Sequence, residues 1–222
     1  MISVNNFSFS YPNSDKGVFD ISFNLEAGKI LAIVGKNGSG KTTLLNQLYK
    51  KYSENSAFVP QFFNISSFSV RDFVGLGLVS QFAKFQLNYS KEQKNQIEQI
   101  LELTGLKKLA ETPMTKISGG ERQIAKIAQS LVKNPQILFL DEPISHLDLS
   151  NSSLVLSLVR NICVQKCVAH RCSIIILHDI YSIRKFADFV LMLKNGRQFG
   201  FCKADEFDDK IVSELFEINY QK

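Results

Sequence analysis

Gly35-Lys36-Asn37-Gly38-Ser39-Gly40-Lys41-Thr42 decides the fold. The run satisfies G-x-x-x-x-G-K-[ST] and stands where such a run has meaning. It follows the compact apolar stretch Lys29 to Val34, read as a strand, and precedes Thr42 to Lys50, read as a helix. Glycines let consecutive backbone N–H groups curve around phosphate oxygens, and the N-terminus of the following helix adds partial positive charge. Lys41 is placed to reach the β- and γ-phosphates, and the Thr42 hydroxyl to ligate Mg²⁺. A Gly-rich turn that contains Lys-Thr by coincidence is the competing account, and the flanking strand and helix argue against it. The chain is expected to bind a nucleoside triphosphate.

Outward from this loop, strands and helices alternate, which implies an α/β fold with a largely parallel sheet. Ile137 to Leu140 and Ser173 to Leu177 are short continuous apolar runs of the kind buried parallel strands show. Asp188 to Leu193, Asn195-Gly196 and Arg197 to Phe201 read as a hairpin around a type I′ turn. The stretch from about 70 to 112 differs. Lys91 to Leu103 places Ile97, Ile100, Leu101 and then Thr104 at helical spacing, so this stretch reads as a mostly helical insert in one domain spanning residues 1–222.

The strand Ile137 to Leu140 ends in Asp141-Glu142-Pro143. Asp141 at the strand's C-terminal end would hold Mg²⁺, and Glu142 would polarise an attacking water as general base. Two acids beside a proline also suit a plain surface turn; the phosphate loop upstream favours the functional account.

Composition sets the limits. The 222 residues are 45% hydrophobic and 21% charged, ordinary for a globular chain with its own core. No run approaches the roughly 18 apolar residues of a membrane span, and Met1 to Phe9 lacks the pattern of a signal peptide. A cytoplasmic location is therefore expected unless a partner holds the chain elsewhere. The net charge of +5 comes without a dense basic block, and nucleic acid is not an expected partner. Cys163, Cys167, His170 and Cys172 lie close in sequence, but their spacing matches neither usual zinc pattern. Small core residues on a helix are the simpler reading.

Ser118-Gly119-Gly120-Glu121-Arg122-Gln123 precedes a helix whose apolar face is Ile124, Ile127, Ala128 and Leu131. A capping box accounts for Ser118 and Glu121. It leaves unexplained two glycines in the first turn, each costing about 1 kcal/mol of helix propensity. Close approach of a phosphate to the backbone would explain them.

On these residues the sequence resembles the ATP-binding subunits of ABC transporters, from about Val4 to Gly200. The resemblance implies a P-loop (RecA-like) core with an N-terminal antiparallel β region and a helical subdomain over about 70–130. Ser118, Gly119 and Gly120 are similar to the family's signature, which binds the γ-phosphate held by a second subunit's phosphate loop. That implies a head-to-tail dimer, expected to be a homodimer, with two composite sites for ATP and Mg²⁺. Gly35, Asn37, Gly38, Ser39, Gly40, Lys41, Thr42 and Thr43 would hold the nucleotide. Phe7, Phe9 and Tyr11 are expected on one face of the first strand, with Tyr11 similar to the adenine-stacking aromatic. A core or edge aromatic is its alternative. Gln61 resembles the Q-loop glutamine, a Mg²⁺ and water contact. Asp148 in Ser145-His146-Leu147-Asp148 resembles the D-loop, and His178 the switch histidine.

Ser145 to Leu149 and Ser69 to Gly77 look like the importer ATPases for iron–siderophore, haem or cobalamin. Those work with membrane permease subunits and, through them, a substrate-binding protein, on the cytoplasmic face of the inner membrane. A soluble ABC ATPase that assembles or remodels a cytosolic complex is the alternative. Ile117, Ile124 and Gln129 depart from the family's common Leu, Arg and Arg.

Overall fold

The computed structural model describes residues 2–63, 67–81, 88–164 and 171–218. Among the described residues, eight strands form a single mixed sheet. In chain order they are β1 (Ile2–Ser10), β2 (Gly17–Leu25), β3 (Ile30–Val34), β4 (Ser56–Val59), β5 (Ile137–Leu140), β6 (Cys172–Ile176), β7 (Phe189–Lys194) and β8 (Arg197–Lys203). The helices are α1 (Lys41–Lys51), α2 (Val70–Gly75), α3 (Lys91–Leu103), α4 (Gly119–Leu131), α5 (Leu149–Val164), α6 (Ile180–Phe186) and α7 (Asp209–Phe216). The strand order is β1-β2-β8-β7-β3-β6-β5-β4, so the phosphate-loop strand β3 lies between β7 and β6.

Pairing is antiparallel at β1/β2 and β7/β8 and parallel elsewhere. Strands β3, β5 and β6 are buried along their whole length, which is why they read as unbroken apolar runs rather than alternating ones. The N-terminal antiparallel pair is joined to the core sheet through Phe19 of β2 against Arg197 of β8. The Asn195-Gly196 turn has φ 51° and 75°, the left-handed pair that a type I′ hairpin needs.

Strand β1 does not keep one alternation. Ile2 and Val4 are buried, then the register shifts before Phe7, and Asn6 takes φ 45°. One irregularity of this kind moves the inward face from even to odd positions, so Phe7 and Phe9 pack inward with Val4. The strand ends at Ser10, leaving Tyr11 beyond it rather than on its face.

Helix α3 matches the sequence reading, with Ile97 and Leu101 buried; the structure adds a capping box between Ser90 and Gln93. Helix α4 buries Ile124, Ile127, Ala128 and Leu131 together, packing the helical subdomain on one face of the sheet. Of the two signature-helix departures, Ile124 is core, and Gln129 Nε2 donates to Phe73 O in α2 at 2.9 Å.

Helix α5 ends at Val164, and Cys167 and His170 lie outside the described residues. Burial pushes the Cys163 and Cys172 thiols up to about 11, which keeps both protonated near neutral pH. Cys163 Sγ instead lies 3.1 Å from Ser173 Oγ in the core. No cluster of three or more His, Cys, Asp or Glu fit for a metal occurs among the described residues.

Asp188 ties this sheet together at the base of β7. Its carboxylate accepts from Ile30 N at 2.9 Å, from Lys29 Nζ and Arg160 Nη2 at 3.2 Å each, and from Arg160 Nη1. Burial raises the carboxyl's pKa, but the bonds from Arg160, Ile30 and Lys29 outweigh it and hold it below the ordinary range. A depressed carboxyl contributes stability above its unfolded-state value and loses it as pH falls through the folded value. Asp188→Asn is expected to cost about 1–3 kcal/mol at neutral pH, the two cations being partly exposed. Urea titrations should show that deficit shrinking below pH about 3.9.

Candidate active site

The phosphate loop runs from the end of β3 into α1. Gly35, Gly38 and Gly40 have φ of 152°, 80° and 100°, which turn the chain within a few residues. A Cβ on Gly35 would lie 2.3 Å from Leu193 O, and one on Gly40 2.7 Å from Val18 Cγ1. These two positions admit no side chain because β7 and β2 press against the loop. At Gly38 nothing lies within 4 Å of that position. There the backbone faces open space.

That space is a cavity of about 960 Å³ lined by Asn37, Gly38, Gly40, Lys41, Thr42, Thr43, Gln61, Glu142 and His178. Tyr11, Asp15, Lys16, Gly17, Phe19, Asn195 and Gly196 line it as well. The volume suits a small-molecule ligand, for which roughly 300–1,000 Å³ is usual. Tyr11 is 44% exposed, its ring edge-on to Phe9 with centroids 5.0 Å apart and its hydroxyl 3.2 Å from Thr43 Oγ1. An aromatic face is thus held beside the start of α1, free on the cavity side.

The Lys41 ammonium donates to Gly35 O at 2.8 Å and Lys36 O at 3.0 Å, curling back over the loop. Burial lowers its pKa, and Glu142 and Asp141 pull it back up. Asp141, at the end of β5, is raised by burial and by Glu142, against the Thr42 hydrogen bond and the charges of Lys41 and His178. Thr42 Oγ1 donates to Asp141 Oδ1 across 3.5 Å. Thr42, Asp141 and Gln61 each offer an oxygen of the hard donor type that suits Mg²⁺. The buried Ser39 Oγ has no hydrogen-bond partner among the described residues.

Glu142 sits at φ 47°, a strained conformation for a non-glycine residue. Both its oxygens are held from outside β5: Gln61 Nε2 donates to Oε2 at 2.8 Å, and His178 Nε2 lies 2.7 Å from Oε1. Gln61 follows β4 and His178 follows β6, the two strands nearest β5 in the sheet. Three residues separated by 81 and 36 positions therefore converge because their parallel strands end at one edge.

Ser118, Gly119, Gly120 and Asp148 do not line this cavity. The capping box at α4 is formed: Ser118 Oγ accepts from Glu121 N at 3.3 Å and Ser118 N donates to Glu121 Oε2 at 2.7 Å. A Cβ on Gly120 would stand 2.3 Å from Asn151 Oδ1, so the second glycine lets the start of α5 pack on the turn. Asp148 in turn accepts from Asn151 N at 2.8 Å and Nδ2 at 2.9 Å. Signature turn and D-loop thus abut within one chain, a packing reason for Gly120 that the sequence did not show.

Sequence reasoning also passed over Lys126, one helical turn beyond Arg122 in α4. The residue is 3% exposed, and burial pushes its pKa down to about 8. The signal was there: a lysine in the middle of the apolar run Ile124 to Ala128.

A phosphate cradle at the C-terminal edge of a parallel core sheet makes this a nucleotide-binding ATPase of the P-loop class. The chain belongs to the ABC transporter family, whose model matches residues 18–145. It is 30% identical to the phosphonates import ATP-binding protein PhnC of Fusobacterium nucleatum subsp. nucleatum over 98% of each chain. With the molybdate import ATP-binding protein MolC of Haemophilus influenzae identity is 35%, over 71% of this chain and 66% of that one. Among solved structures, a metal-chelate type ABC transporter in an inward-facing conformation superposes with a TM-score of 0.85 at 28% identity. That match covers 97% of this chain and 88% of the other. The expected architecture is borne out: a P-loop core carrying an N-terminal antiparallel β region and a helical subdomain.

Proposed function

We propose that this chain is the ATP-hydrolysing subunit of an ABC importer, working as a head-to-tail dimer beneath membrane permease subunits. The observation that carries the ATPase half is the Glu142 carboxylate held between Gln61 and His178 at the mouth of the phosphate cavity. The loop N–H groups and Lys41 bind the phosphates, with Thr43 beside them and Tyr11 against the base. Glu142 orients a water and takes its proton as the water oxygen attacks the γ-phosphorus; ADP leaves with the bridging oxygen. Gln61 and His178 keep that carboxylate aimed. Thr42, Asp141 and Gln61 would hold Mg²⁺, which neutralises phosphate charge when bound. Ser118, Gly119, Gly120 and Asp148 lie outside their own chain's cavity, which supports their serving a second copy's site.

The importer half draws on the two import relatives and on the metal-chelate type structure. Exposed apolar side chains support a membrane partner: Phe62 is 71% exposed, Val79 47% and Leu76 39%, whereas Val70, Phe73 and Val74 are core. No described helix is long and apolar enough to cross the membrane, so partner subunits would hold the chain at its cytoplasmic face. The cargo reading is a metal chelate of the siderophore, haem or cobalamin kind, delivered by a substrate-binding protein. The phosphonate and molybdate relatives support an oxyanion as the second reading.

Isolating tagged Glu142→Gln protein from gently solubilised native membranes with ATP tests this. A polytopic membrane protein is expected in stoichiometric amount, and its binding protein can then be titrated with ferric siderophore, haem, cobalamin, phosphonate and molybdate. Recovery of soluble partners alone, equally well without membranes, would replace transport with assembly of a cytosolic complex.

A further inference from the structure

The strongest feature that nucleotide binding does not use is the buried ammonium of Lys126. It donates to Pro60 O at 2.6 Å, to Gln61 O at 3.2 Å and to Gln123 Oε1 at 3.3 Å, and it lies 4.5 Å from the centroid of the Phe63 ring. Three donors thus meet three acceptors, none of them a carboxylate. Burying an ammonium without a counter-ion is costly, and packing alone would be served better by an apolar side chain. Its neighbours in α4, Ala125 and Ile127, are apolar and fully buried. What the ammonium adds is a grip on two consecutive main-chain carbonyls, which fixes the peptide between them.

We infer that Lys126 is a positioning residue of the ATPase reaction, clamping the Pro60–Gln61 main chain so that the Gln61 amide meets Glu142. This rests on the reading of Glu142 as general base. The connection is short: α4 starts at the signature turn Ser118–Gly120, Lys126 leaves its second turn, and Gln61 joins Lys126 to the catalytic carboxylate. Motion of α4 relative to the sheet is thereby passed to Glu142 through one residue.

The test compares Lys126→Met, Lys126→Gln and Lys126→Arg in the full chain, reading kcat, KM for ATP and the unfolding temperature. Lys126→Met is expected to lower kcat roughly tenfold, as misplacement of a catalytic group does, with KM changed less than about threefold. Lys126→Arg, which keeps a buried cation with several donors, should recover most of that loss. In a Gln61→Ala background Lys126→Met should have no further effect on kcat, because the clamp then has nothing to aim. An unchanged kcat in Lys126→Met, or an equal loss in the Gln61→Ala background, overturns the inference. If Lys126→Met unfolds, Lys126→Gln carries the same comparison, since a neutral amide reaches fewer acceptors. Glu142→Gln assayed alongside separates the two readings. Near-parent turnover there removes the base, whereas a slow Glu142→Gln with an unaffected Lys126→Met removes only the clamp.

Discussion

Glu142→Gln is expected to hydrolyse ATP roughly 10²- to 10⁴-fold more slowly than the parent chain, the range a positioned general base contributes. Gln has the same shape and can still accept from the Gln61 amide at the Oε2 position, 2.8 Å away. It cannot take a proton from water. Binding should survive, since Lys41 and the loop N–H groups are untouched, and the removed negative charge was one of two beside the phosphates. An ATP-loaded dimer should therefore persist longer than the parent's. Single-turnover hydrolysis with labelled ATP measures the first effect and light scattering with and without ATP the second. Turnover within about threefold of the parent would take Glu142 out of the reaction.

Lys41→Met is expected to weaken ATP binding by roughly 10²- to 10³-fold, about 3–4 kcal/mol, the loss of a charged donor to phosphate. Lys41 is 6% exposed as a residue, and its ammonium donates to Gly35 O and Lys36 O. Methionine fills a similar volume, so the loop should keep its course. The electrostatic consequence goes further. Lys41 opposes the negative charge of Asp141 and Glu142, and without it the phosphates meet two carboxylates unbalanced. Calorimetric titration with ATP, at fixed ionic strength, measures the change. An affinity within about threefold of the parent would show that the loop backbone alone binds the phosphates.

The two effects separate binding from chemistry in one small cluster. Lys126→Met lies between them, with its expected effect on turnover alone. Asp188→Asn serves as a reference, because it removes a tie at the base of the sheet rather than the edge that carries the site.

What the sequence determined by itself was everything encoded over short spans. The phosphate loop was legible because eight consecutive residues need glycine at left-handed positions, and the structure shows that conformation at Gly35, Gly38 and Gly40. The Asn195-Gly196 hairpin, the capping box at Ser118 and the apolar faces of α3 and α4 depend on residues no more than a few positions apart. The acidic strand end named Glu142, and the family resemblance named Gln61 and His178, each separately.

Tertiary structure alone decided how they meet. Strand order β6-β5-β4 brings Gln61 and His178 to the two oxygens of Glu142, and no spacing in the chain encodes that neighbourhood. The same holds for the Asn195-Gly196 turn, readable as a hairpin but not as the wall of the nucleotide cavity. Gly196 N donates to Ser39 O at 3.1 Å across a gap of over 150 residues. One irregularity in β1 changed which aromatic side chains face inward, since a period of two reverses with a single extra residue. Lys126, a charge within an apolar helix face that the sequence reading passed over, is explained by carbonyls 65 and 66 residues earlier in the chain. A buried polar group declares its purpose only through its partners, and those are chosen by the packing of elements far apart in the chain.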